Sequence, residues 1–526
     1  MSVRATIETP AVIAPRARRD SHVVVIGGGF GGLAAAIRLQ AGGARVTLVE
    51  ARERLGGRAY LLEEAGYRFD MGPTIVTAPD LLEDLWASAG RRLADDVSLL
   101  PLSPFYRVHF GDGTRFEYGG SPDADEAEIA RFEPRDVAGY HAFLAATERI
   151  YRRAFGDLAG QPFLTLGDFL RVVPELVRLG AARSVYAFAS GYFRDPRLRS
   201  VFSFHPLFIG GNPLRASAIY SIIPFLERQG GVHFVAGGTA ALVDAMARLF
   251  ISLGGEVRTA TPVERIVVAS GRVAGVEVAG GERIAADAVV ANSDVATTYL
   301  ELVPPEHRRR VTAARLRRFH YSMSCFLLYL GLNRTYPRLR HHTVVIPRNY
   351  RGVLGEIFDG NRLPSELALY LHAPTRTDPR FAPPGGESLY VLAPVPHLGH
   401  RPPLDWDRES ERFRDRIVHY LQDEVGLDGL ESSIVVERRF TPRDFATELR
   451  SLYGSAFSIE PTLLQSAYFR PHNRSGDLPG LYFVGAGTHP GAGLPGTLLS
   501  ARITGHLVGE DLAAGRVGAA VSARRR

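Results

Sequence analysis

Ser21-His-Val-Val-Val-Ile-Gly-Gly-Gly-Phe-Gly-Gly-Leu-Ala-Ala-Ala-Ile-Arg-Leu-Gln40 is the stretch whose reading decides the fold. Its apolar run, Val23 to Ile26, reads as a buried parallel strand, and Leu33 to Leu39 reads as the helix that follows. Between them Gly27, Gly29 and Gly32 stand at G-x-G-x-x-G spacing. In a dinucleotide fold the first glycine makes the tight turn and the second lets a pyrophosphate approach the backbone. The third lets helix and strand pack closely. The helix then presents unpaired N–H groups and a partial positive charge to the phosphates. A second strand, Arg45-Val-Thr-Leu-Val-Glu50, ends in a carboxylate placed to bond ribose hydroxyls. Strand, glycines, helix, strand and terminal acid together predict a bound dinucleotide, where the glycine spacing alone would not.

Composition limits what surrounds this unit. The chain has 526 residues, enough for two or three domains, and its 45% hydrophobic and 22% charged content is that of a globular protein. The single cysteine, Cys325, excludes an intramolecular disulfide framework and a Cys-rich metal site, and its apolar surroundings predict an inert buried thiol. The net charge is +6, and no lysine occurs, so all 62 basic residues are arginine. Arginine clusters at Arg16-Ala-Arg-Arg19, Arg308-Arg-Arg310 and Arg524-Arg-Arg526 are read as solvated tails and loops. Attraction to anionic lipid headgroups stays open, and no nucleic acid partner is expected. The N-terminus carries no apolar secretory core. The longest span free of charge, Leu478 to Ala501, holds six glycines and three prolines and reads as strand, turn and helix start instead of a membrane span.

Taken in order, residues 1–20 read as a disordered arm and 516–526 as a tail. The dinucleotide domain is expected to be discontinuous, over 21–100, 231–300 and 475–515. Residues 101–230 read as a helical insertion, with short amphipathic helices over Phe163–Pro174 and Pro174–Gly180 and aromatic, charge-free runs such as Ser184–Phe193. Such runs fit a long apolar tunnel or a surface that meets lipid. Residues 301–474 form a second insertion, with Tyr321–Leu332 as a buried strand. The chain returns at Gly480–Arg502 with strand, glycine loop and helix. No second strand–G-x-G-x-x-G–helix unit is present, which argues against a separate nicotinamide site.

Further motifs carry a resemblance. Gly56-Gly57-Arg58 offers bare backbone and a cation beside the expected pyrophosphate, and Asp70-Met-Gly-Pro73 follows. With these the chain resembles the FAD-dependent oxidoreductase superfamily of amine oxidases and carotenoid desaturases. The resemblance implies an α/β fold: a Rossmann-like FAD-binding domain with an inserted α+β substrate region and helical, membrane-associating parts. By this likeness Gly57, Arg58, Gly72 and Pro73 line the flavin, and Val263 presents its backbone to adenine. The loop with Gly487 and Thr488 closes the site, and Pro495 and Gly496 begin a helix aimed at the flavin's polar edge.

Phe204-His-Pro-Leu-Phe-Ile-Gly-Gly-Asn-Pro213, Leu389-Tyr-Val-Leu-Ala-Pro-Val-Pro-His-Leu-Gly399, Phe469-Arg-Pro-His-Asn-Arg474 and Gly485-Ala-Gly-Thr-His-Pro-Gly-Ala-Gly493 are similar to bacterial and fungal type phytoene desaturases. Met71 and Gly230-Gly-Val-His-Phe234 depart from that pattern. The resemblance implies FAD and a phytoene substrate carrying no hydrogen-bonding groups. It also implies peripheral attachment at the cytoplasmic face of the membrane, and oxygen or a quinone as electron acceptor. The family's acid–base pair falls on Asp168 and Arg171, which share a helix face at i,i+3. No metal is expected, and His472 and His489 are read as flavin or loop contacts. Two alternatives are kept: desaturation or cis–trans isomerisation of a C30 or hydroxylated carotenoid, and prenyl binding by an escort protein that has lost its flavin, against which Glu50, Arg58 and the glycine loop from Gly485 argue.

Overall fold

A computed structural model describes residues 20–518. The first and last arginine clusters, the arm before Asp20 and the end of the tail lie outside them. The opening stretch folds as read, with small boundary shifts: β1 is His22–Ile26, α1 is Phe30–Ala41 and β2 is Arg45–Val49. β1 and β2 pair in parallel, His22 opposite Arg45. Three later segments complete the parallel sheet. Its order is Leu481–Phe483, Ala288–Ala291, β1, β2, Glu256–Arg258. Val23, Val24 and Val25 are fully buried because helices cover one face of this sheet and a three-stranded antiparallel sheet (Val263–Ala269, Arg272–Val278, Arg283–Ala285) covers the other. α1 is buried on nearly every side, packed against the final helix, Leu494–Ala513.

A second sheet of seven strands carries the other half of the molecule. Its order is Ile434–Phe440, Ser324–Leu332, Glu387–Val395, Leu369–His372, His342–Ile346, Tyr106–Phe110, Arg115–Tyr118. The hairpin Tyr106–Tyr118 thus belongs to this sheet, joined in parallel through Thr343 opposite Arg107, and not to a purely helical insertion. Leu99–Pro101 likewise pairs with His233–Val235 across the expected 100/101 boundary. Both pairings are between segments far apart in sequence, where local periodicity carries no signal.

One helix, Leu166–Arg178, runs through Pro174 where two were expected. Thr165 and Asp168 close a capping box at its start. No helix among the described residues is long and apolar enough to cross a membrane.

Candidate functional site

One large cavity runs between the two sheets. Gly27, Gly29, Glu50, Gly57, Arg58 and Val263 line it, together with Gly72, Pro73, Gly491, Pro495 and Gly496. Ten of the expected cofactor residues therefore lie on one surface.

Two glycines show why no other residue serves. A Cβ at Gly32 would sit 2.0 Å from the Gly27 carbonyl oxygen, so Gly32 stays behind the wall and sets the helix–strand distance. A Cβ at Gly72 would sit 2.1 Å from the Arg58 carbonyl oxygen. Gly487 and Thr488 also stand behind the lining: Thr488 is buried and its hydroxyl donates to the Pro471 carbonyl at 2.6 Å. They shape the loop instead of meeting a ligand directly.

The electrostatics suit an anion. Gly29 caps the start of α1 and Gly493 that of the final helix, so neither N-terminus has a side chain capping it. Their first-turn N–H groups are left for a ligand at the cavity. Glu50 is buried; one of its oxygens accepts from the Gly28 N–H at 2.7 Å and the other from the Arg52 N–H at 3.0 Å. This fixes the carboxylate at the edge of the cavity with lone pairs to spare. The Arg58 guanidinium donates to the Ala456 carbonyl and Ser451 Oγ, both at 2.8 Å, and makes no ion pair among the described residues. Burial pushes its pKa down, and Asp294 is the main charge favouring it. Bare backbone, open helix N-termini and an unpaired guanidinium fit a dinucleotide diphosphate.

Beyond Pro73 the lining changes to carbon: Phe155, Phe163, Phe204, Leu207, Phe208 and Leu392 are among its members. Thr74 and Tyr370 bring hydroxyls to this chamber. Thr74 Oγ1 and Tyr370 Oη are 2.5 Å apart, and Tyr370 Oη is 2.7 Å from His342 Nδ1. Burial drives the phenol pKa far up and the His342 pKa far down, so both are neutral. Met71 lines the chamber too, and its carbonyl accepts from the Tyr329 hydroxyl. Cys325 is buried with its thiol pKa pushed well up, in keeping with an inert thiol.

Asp168 and Arg171 are not brought to this cavity. Asp168 Oδ2 is spent on the Thr165 N–H and hydroxyl, and Arg171 is 81% exposed, 3.5 Å from Asp168 Oδ1. The geometry gives the pair a helix-capping and surface role and does not support an acid–base one. Their helix matters through other residues: Phe169 and Leu176 line the chamber, while Leu166, Leu170 and Val177 are exposed beside it. His489 lines the cavity, and His472 bonds the Tyr468 carbonyl at 2.8 Å.

The histidines at 341, 342 and 372 bring nitrogens within 4.8 Å of one another. Two of those nitrogens already share a hydrogen bond of 3.1 Å, and no carboxylate acts on the group. The sequence reading missed Thr74, Tyr370, His342 and the buried Arg470. Thr74 stands one residue past the recognised Gly72-Pro73 segment, so proximity was the one available signal.

Sheet, cleft and chamber define a dinucleotide-dependent oxidoreductase with an apolar substrate space. The family model of flavin containing amine oxidoreductases matches residues 30–505. The chain is 49% identical to the lycopene-forming phytoene desaturase of Pseudescherichia vulneris, over 93% of this chain and 99% of that one. It is 42% identical to the neurosporene-forming phytoene desaturase of Cereibacter sphaeroides, over 94% and 96%. Its fold matches putrescine oxidase with TM-score 0.60 over 94% and 99% of the chains, at 14% identity. This protein belongs to the flavin-containing amine oxidoreductase family, in its phytoene desaturase branch. Its cofactor is FAD.

Proposed function

We propose that this chain desaturates phytoene, introducing several double bonds to give neurosporene- or lycopene-type carotenoids. One observation carries the reading: the dinucleotide cleft opens into a chamber whose wall is aromatic and aliphatic. A hydrocarbon offers no hydrogen bonds, so its binding rests on burial, about 25 cal/mol per Å². Bound FAD supplies a hydride acceptor for the allylic CH₂.

The chain's own residues do the rest. The amides around Gly29 and the Arg58 guanidinium hold the diphosphate, and Glu50 orients the ribose. The aromatic wall excludes water. The proton leaving the neighbouring carbon passes along the wall hydroxyls, Thr74 Oγ1 and Tyr370 Oη, to His342 Nδ1, and burial, which keeps that ring neutral at rest, makes the imidazole a relay for the proton and not its store. Asp168 has no part in this step.

The substrate enters from a bilayer. Leu166, Leu170 and Val177 on one segment and Leu463, Leu464 and Phe469 on another are exposed, and Phe169 joins the two at 5.2 Å from the Phe469 ring. Phe169 and Leu463 also line the chamber, so this greasy rim borders its mouth. We place the protein peripherally on the cytoplasmic face of the membrane, with oxygen or a quinone reoxidising the flavin.

Incubation with FAD and phytoene-loaded liposomes, followed by pigment chromatography, tests the proposal. Coloured conjugated products are expected; unchanged phytoene from FAD-loaded protein would refute it.

A further inference from the structure

Three arginines are buried among the described residues: Arg38, Arg414 and Arg470. Arg38 pairs with Asp84, and Arg414 pairs with Glu431 and Glu437. Arg470 is 1% exposed and has no ion pair among the described residues. Its donors meet four neutral carbonyls: Thr488 from Nε at 3.2 Å, Gln465 at 3.4 Å, Ile459 at 3.0 Å and Ala486 at 2.7 Å.

A buried cation held by neutral dipoles alone is costly. Clamping a loop does not require that charge. Asn473, a neutral neighbour, holds the His489 carbonyl at 3.0 Å in the same loop. The charge itself therefore needs a reason.

Position supplies one. Ala486 and Gly491 line the cavity, and a Cβ built on Gly491 would lie 3.6 Å from the Arg470 guanidinium carbon. One layer of backbone separates the cation from the cleft, in a wall with little water to screen it. Asp294, also in the lining, is the carboxylate whose charge acts on both Arg470 and Arg58. Two guanidiniums thus share the charge of one carboxylate beside a cleft whose ligand carries a diphosphate and gains negative charge when its flavin is reduced.

We infer that Arg470 is an electrostatic positioning residue: its unpaired charge, set behind the Gly485–Gly496 loop, favours negative charge on the bound flavin and so favours hydride acceptance. The inference rests on FAD occupying the cleft and not on which carotenoid is desaturated.

Sulfite titration of the FAD-loaded protein tests it without substrate, because sulfite adds to oxidised flavin and leaves negative charge on the ring. Arg470→Gln is expected to weaken sulfite binding about tenfold or more. Arg470→Lys, which keeps the charge and loses the fork, is expected to stay within about threefold of the parent. Asp294→Asn, which keeps an oxygen for its helix cap, is expected to tighten sulfite binding, a change that structural damage does not produce. Wild-type affinity in Arg470→Gln, equal losses in Gln and Lys, or no tightening in Asp294→Asn would overturn the inference. Should Arg470→Gln fail to hold FAD, Arg470→Lys decides: FAD retained with sulfite affinity within about threefold of the parent supports the inference, and a loss of about tenfold or more overturns it. Failure to desaturate phytoene with these sulfite shifts intact would count against the proposed substrate and leave this inference standing.

Discussion

Around Glu50 and Arg58 the cavity wall is backbone amide, carboxylate and guanidinium; around Phe204 and Phe208 it is mostly carbon, and the Glu227 carboxylate there is taken up by the Tyr106 hydroxyl at 2.7 Å and by His205 at 3.2 Å. The first region recognises a ligand by a few groups at fixed places, so one misplaced atom is decisive. The second recognises by volume and apolar area spread over many side chains, so its terms are individually small. Thr74, Tyr370 and His342 in the second region are tied to one another, and the proposed proton path runs through that cluster.

The sharpest way to break the contrast is in the first region. Gly32→Val would drive a side chain into the Gly27 carbonyl and is expected to give protein without yellow flavin, read from its absorbance spectrum. In the second region Tyr370→Phe removes one hydroxyl and should leave FAD binding unchanged. It is expected to slow flavin reduction by phytoene about 100-fold, the lower range for losing a general acid–base group. A slowing of less than about threefold would remove Tyr370 from the proton path.

At the mouth, Leu170→Glu with Leu464→Glu should cut liposome co-sedimentation about tenfold or more, since burying one leucine is worth about 1.5–3 kcal/mol. Turnover of detergent-dispersed phytoene should change little.

The buried histidines predict acid sensitivity. Burial pushes the pKa of His341 and His489 down to about 3 and that of His397 to about 4, and drives His342 and His372 down too. Unfolded chains bind these protons near pH 6.5, so stability is lost as pH falls through about 6.5 toward 4. Each contributes on the order of 1 kcal/mol by pH 5.5. Asp70, raised to about 6 by burial, acts in the opposite sense and offsets part of one such loss. Thermal melts between pH 7.5 and 5.5 should show falling Tm. The smallest effect is expected for Asp168→Asn: turnover within about twofold of the parent, which a larger loss would contradict.

The same contrast explains what the sequence made legible. Gly27 to Glu50 could be read because strand, turn, helix and acid are contiguous, and each local rule points to one ligand. The hairpin Tyr106–Tyr118 could not, because its sheet partner His342–Ile346 lies far along the chain. Asp168 and Arg171 share a helix face by spacing, but spacing does not say whether that face meets cavity or solvent. Here two apolar stripes, Phe169 with Leu176 and Leu166 with Leu170, compete for the inward direction, and the capping box holds Asp168 at the helix end. Arg470 was hidden for a compositional reason: in a chain whose every basic residue is arginine, a buried unpaired cation looks like any surface one.

A dinucleotide cleft and a hydrocarbon chamber form one continuous reaction space. Anaerobic mixing of FAD-loaded protein with phytoene liposomes tests it most directly, following flavin and polyene absorbance together. Bleaching of the flavin in step with the rise of conjugated polyene absorbance is the predicted result. Flavin that stays oxidised with phytoene yet bleaches with a primary amine would contradict the account.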